Sequence, residues 1–121
     1  MTHTALIVDD SSSIRAMLAF TLQEAGFAVL QADDGRNATK LLDGRRIDLV
    51  ITDLNMPNMD GFALIRHIRA LSGYRFVPIL MLTTVSNEER KAEGKKTGAT
   101  AWLVKPFDPA QLMAVVAKVV R

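Results

Sequence analysis

The chain has 121 residues, 49% hydrophobic and 23% charged, which bounds it to one globular domain with its own core. It has no cysteine for a disulfide or thiolate metal site, no apolar run near the roughly 18 residues that would insert into a membrane, and no signal-peptide pattern in Met1-Thr2-His3-Thr4, so a cytoplasmic protein is expected. Fifteen Lys and Arg against thirteen Asp and Glu give a net charge of +2, and without a basic stretch interleaved with aromatics no nucleic-acid partner is expected.

Apolar strand-like runs alternate with helical patterns from end to end. Ala5-Leu6-Ile7-Val8 reads as the first strand. Ser11 or Ser12 can cap the helix that follows, with Ile14, Leu18, Leu22 and Ala25 on one face and Gly26 as the stop. Phe27 to Ala32 reads as the second strand, and a short helix from Asp34 or Gly35 carries Ala38, Leu41 and Leu42 to about Gly44. Asp48 to Thr52 forms the third strand, closed by Asp53. The loop Leu54 to Gly61 leads to a helix with Leu64, Ile65, Ile68 and Leu71. Val77 to Leu82 runs into Thr83, a helix spans about Asn87 to Thr97, Thr100 to Val104 forms the fifth strand, and a last helix starts at Asp108.

This is a (βα)5 pattern. Continuous apolar strands argue for a five-stranded parallel sheet buried on both faces, and right-handed crossovers place helices on both sides. The expected class is α/β, doubly wound and flavodoxin-like. One domain over residues 1–121 is expected, with nothing left for an output domain.

The carboxyl ends of parallel strands line one crevice, where ligands bind. Asp9, Asp10, Asp53, Thr83 and Lys105 each close or follow a strand. Three carboxylates without a counter-ion would repel one another, and a divalent cation plus a lysine relieves that. Mg²⁺ takes octahedral oxygen ligands, usually one or two carboxylates with waters and phosphate oxygens. Asp10 and Asp53 are expected as direct ligands, Asp9 through a water, and the carbonyl of Asn55 as a further ligand. Asp53 is the candidate nucleophile, forming an acyl phosphate. Thr83 would hydrogen-bond one phosphoryl oxygen and Lys105 would pair with another. The Lys105-Pro106 bond in a tight turn is a candidate cis peptide. His3 and His67 fall away from the strand ends and are assigned no role.

The segments Val8-Asp9-Asp10, Thr52 to Gly61, Leu82-Thr83-Thr84 and Lys105-Pro106-Phe107 span the chain in order. With them the chain resembles the response-regulator receiver domains, and among those the single-domain chemotaxis (CheY-like) type. The resemblance implies phosphorylation of Asp53 by a histidine kinase, with Mg²⁺ required. It also implies a switch of Thr83 and the aromatic at position 102, acting on the face of the fourth helix, fifth strand and fifth helix. That face would bind a downstream target such as a flagellar motor switch component, or a second copy in a homodimer. Two positions depart from the chemotaxis pattern: Trp102 stands where tyrosine is usual, and Val85 where enteric-type regulators carry a polar residue.

Two other readings compete. A Mg²⁺-dependent phosphohydrolase of the haloacid-dehalogenase kind would carry a second acid two residues after the nucleophile, and Asn55 stands there. A pure interaction module would not need the full set of acids, Thr83 and Lys105. The last helix is apolar nearly all round, which suggests a docking face. The helix from Asn87 to Thr97 has few large apolar residues and an internal Gly94, so weak anchoring is expected.

Overall fold

The computed structural model describes residues 2–120. Its elements, in chain order, are β1 (Thr4–Val8), α1 (Ser12–Glu24), β2 (Ala28–Ala32), α2 (Gly35–Thr39), β3 (Leu49–Thr52), α3 (Gly61–Ala70), β4 (Ile79–Thr83), α4 (Glu88–Thr97), β5 (Ala101–Val104) and α5 (Pro109–Val119). All strand pairs are parallel, in the order β2-β1-β3-β4-β5. The chain turns outward in both directions from the β1/β3 pair, which makes that pair the topological switch point of the sheet.

The two-residue period of the strands sorts the core into two layers. Leu6, Val8, Val50, Ile79 and Met81 face one side, where Ala38 of α2 and Phe62, Leu64, Ile65 and Ile68 of α3 cover them. Ala5, Ile7, Leu49, Ile51, Leu80, Leu82 and Leu103 face the other, under Leu18 and Leu22 of α1 and Leu112 and Val116 of α5. Every helix begins on a side-chain cap: Ser11 accepts from the N–H of Ile14, Asp34 from Asn37, Asp60 from Ala63, Asn87 from Arg90 and Asp108 from Gln111. The sequence left Ser11 and Ser12 open, and the cap bond selects Ser11.

Several local expectations need correction. Ala25 is the exposed C-cap of α1 rather than part of its buried face. The second helix stops at Thr39; Leu41 and Leu42 follow in a turn, although Leu42 still reaches the core. Phe27 precedes β2 and packs against the α1/α5 layer. On the last helix Leu112 and Val116 are buried and Met113, Val115 and Val119 half-buried, while Pro109, Ala110, Gln111, Ala114, Ala117 and Lys118 are exposed, so its exposed positions are mostly small apolar residues. An apolar groove does lie between α1 and α5, bordered by Met17, Phe20, Pro109 and Met113.

Candidate functional site

The register of the sheet brings the polar strand ends together. Val8 pairs with Thr52, so Asp9 and Asp53 leave neighbouring strands at the same level, and the N–H of Asp53 bonds the carbonyl of Val8 at 3.0 Å. Carboxylate oxygens of Asp9, Asp10 and Asp53 lie within 4.8 Å of one another. They sit at the switch point, where doubly wound sheets bind ligands. Thr83 pairs with Val104, and the N–H of Lys105 bonds the carbonyl of Thr83 at 2.9 Å. The Lys105-Pro106 peptide is cis.

Lys105 is the counter-ion. Its Nζ lies 2.7 Å from Asp9 Oδ2 and 3.2 Å from Asp53 Oδ2, with only 13% of the side chain exposed. Burial works against its charge, but the hydrogen bond to Asp9 and the attraction of Asp53 and Asp9 outweigh it and hold the ammonium above its ordinary pKa.

The acids differ in what they have left to offer. Asp9 is 2% exposed, and its second oxygen accepts the N–H of Ser11 at 2.9 Å. The carbonyl of Asp9 is held in turn by Nη1 of Arg15 at 2.6 Å. Asp53 is half-buried, with Oδ1 accepting the N–H of Leu54 at 2.7 Å. Asp10 is exposed. One ammonium against the three carboxylates leaves two negative charges. An all-oxygen set with that balance fits a hard divalent cation such as Mg²⁺. Asn55 lies exposed on the loop just after Asp53, while His3 and His67 lie off the site.

Thr83 is fully buried, and its Oγ1 accepts the N–H of Val85 at 3.4 Å. The carbonyl of Val85 accepts Nε1 of Trp102 at 2.9 Å. Val85 is half-buried and packs with Trp102 against the α2/α3 layer of the core. The indole also explains Gly94, which the sequence reading took as a weakness of α4. A Cβ there would lie 2.6 Å from Cζ3 of Trp102, so glycine lets helix and ring close on each other.

Sequence reasoning missed three supports of the site. Arg15 holds the Asp9 carbonyl from one turn into α1, and nothing in the local sequence distinguishes it from the other arginines. Gly61 was read only as part of a loop, yet a Cβ there would collide with the carbonyl of Asp53. Asp34 was read only as a helix start, yet it also accepts Nδ2 of Asn58 at 2.8 Å from across the site loop.

Comparison with known proteins agrees with this geometry. Residues 5–117 match the family described as response regulator receiver domain. The phosphate regulon transcriptional regulatory protein PhoB of Escherichia coli is 35% identical over all of this chain, which covers 53% of PhoB. The chain thus spans about half the length of several curated relatives it matches. Chemotaxis protein CheY-3 of Vibrio cholerae is 40% identical over 88% of this chain and 83% of its own length. The structure of Vibrio cholerae chemotaxis protein CheY4 superposes with a TM-score of 0.95 at 48% identity, covering 99% of this chain and 100% of CheY4.

Proposed function

The chain belongs to the response regulator receiver domain family, and on that premise we propose that it is a phosphorylation-switched signalling protein with Asp53 as its phosphoacceptor. Receiver domains take phosphoryl groups from histidine kinases and act on downstream targets. The observation that carries the reading here is Lys105, which bridges Asp9 and Asp53 at the strand ends beside the exposed Asp10.

A carboxylate oxygen of Asp53 attacks the phosphorus of a phosphohistidine. The new O–P bond makes an acyl phosphate as the P–N bond breaks, and the imidazole leaves with the electron pair. Lys105 remains beside the acceptor to pair with a phosphoryl oxygen, and the Thr83 hydroxyl turns from Val85 to hydrogen-bond another. Asp10, Asp53 and the carbonyl of Asn55 would hold Mg²⁺, with Asp9, which is 2% exposed and held by Lys105 at 2.7 Å, acting through a water. Bound there, the cation neutralises charge on the phosphoryl oxygens. Hydrolysis by an in-line water then breaks the acyl O–P bond, returning the carboxylate and releasing phosphate. Nothing is turned over beyond this cycle, so the protein acts as a switch, with its output on the face of α4, β5 and α5.

A chemotaxis-type regulator is favoured by the match to CheY4 along its whole length. The second reading is a receiver acting in another phosphorelay, and the PhoB match supports it. Incubation with Mg²⁺ and a small phosphodonor tests the chemistry. Stoichiometric labelling that disappears in Asp53→Asn is expected; labelling elsewhere, or continuous release of phosphate, would overturn it. Capture of a flagellar switch component only in the presence of a phosphoryl mimic would select the chemotaxis reading.

A further inference from the structure

The loop after Asp53 is fastened at two points. At its base the N–H of Gly61 bonds the carbonyl of Leu54 at 2.8 Å, and Gly61 packs onto the main chain of Asp53. At its tip Asn58 adopts φ 69°, a left-handed conformation that asparagine tolerates better than most residues. From there its Nδ2 donates to Asp34 Oδ2 at 2.8 Å. The other oxygen of Asp34 caps α2 through the N–H of Asn37 at 2.7 Å. The two loops are also in close contact, since a Cβ on Gly35 would lie 2.8 Å from the carbonyl oxygen of Met59.

Asp34 is only 6% exposed although it lies outside the acid cluster. The N–H of Asn37 and the amide of Asn58 hold its carboxyl below the usual range. Capping needs one of its oxygens, and tolerance of the turn needs only the residue type at position 58. Neither requires the second oxygen of Asp34 to meet the amide of Asn58. That bond ties the loop of the phosphoacceptor to the corner between β2 and α2.

We infer that the Asp34–Asn58 hydrogen bond positions the loop that presents the Asn55 carbonyl, and so tunes cation affinity and phosphoryl transfer at Asp53 without touching either. The inference rests on reading the acid cluster as the cation site. Asp34 and Asn58 are positioning residues: they act through the backbone between Leu54 and Gly61.

Asn58→Asp, in the full chain, tests this. It sets two carboxylates against each other across the latch. Added negative charge near the cluster would by itself strengthen Mg²⁺ binding, so a loss reports geometry. The expected loss is about tenfold or more, the range for groups that orient metal ligands. The exchanged pair Asp34→Asn/Asn58→Asp keeps an acceptor for Asn37 and restores a donor–acceptor pair, and it should bind Mg²⁺ within about threefold of the parent chain. Exchange of the Gly61 amide in metal-free protein should speed up in Asn58→Asp and recover in the exchanged pair. Parental Mg²⁺ affinity in Asn58→Asp would overturn the inference. So would a well-folded exchanged pair, melting like the parent, that fails to recover. No Mg²⁺ binding by the parent would instead overturn the reading of the acid cluster, while the Gly61 exchange would still report on the latch.

Discussion

The indole Nε1 of Trp102 donates to the main-chain carbonyl of Val85 over 2.9 Å. Trp102 is on the edge strand β5 and Val85 follows β4, so the bond ties the loop beyond Thr83 to a ring that also lies on α4. The N–H of Val85 is on Thr83 Oγ1. Both polar groups of one peptide residue thus connect the buried hydroxyl at the site to the aromatic on the α4–β5 side. A movement of Thr83 would loosen the first bond and load the second.

Thr83→Ala removes the first link while leaving the acid cluster intact. The change of Trp102 fluorescence produced by a phosphoryl mimic should disappear, while the mimic still binds. Titration with emission and calorimetry in parallel checks this. An unchanged emission response in Thr83→Ala would exclude this route of coupling.

Gly94→Ala should displace the indole. Alanine favours the helix by about 1 kcal/mol, but overpacking typically costs about 1–3 kcal/mol, and the new Cβ would lie 2.6 Å from a ring carbon. The net expectation is a chain no more stable than the parent and up to about 2 kcal/mol less stable, with red-shifted Trp102 emission. In a Trp102→Ala background the same substitution should become stabilising. Denaturant melts of the four chains measure the coupling.

Val85 and Asn55, two residues after Thr83 and Asp53, are expected to flank the approach of the hydrolytic water. Val85 offers no side-chain hydrogen bond. Val85→Gln should therefore alter the phosphoryl half-life with little effect on Mg²⁺ affinity, and Asp10→Ala should do the reverse. Decay of labelled protein and Mg²⁺ titration separate the two. A shift of Mg²⁺ affinity alone in Val85→Gln would place residue 85 on the cation side.

Asp34 predicts a pH dependence. Its carboxyl is held below its ordinary value of 3.8, so the folded state binds the proton less readily than the unfolded state. The stabilisation is fully present above the unfolded value and is lost as pH falls through the folded value. Asp34→Asn can still cap α2, but it loses the charge and also the acceptor that meets Asn58. The Tm difference between parent and variant should hold from pH 7 to about pH 5 and narrow as pH falls below about 4. A difference that does not narrow at low pH would assign all of it to the lost acceptor rather than to charge.

Hydropathy alternation and the punctuation of Gly, Ser, Asp and Asn were sufficient for the α/β class, the element order and the parallel sheet. Those properties follow from local periodicity and capping, which neighbouring residues set. The acids and lysine at the strand ends were legible for the same reason, because a parallel sheet sends all its carboxyl ends to one edge. The partners of each side chain were not legible. Gly94 is a flaw in α4 by local propensity alone, and only the indole of Trp102, on another element, accounts for it. Asp34 read as a cap until Asn58 met its second oxygen across 24 positions of sequence. Only the packed sheet decides which side chains meet across such separations, because contact there depends on the rotation and spacing of whole elements. The sequence by itself determined the scaffold and which polar groups gather at the strand ends; the tertiary structure decided how they are braced, and which ordinary-looking residues brace them.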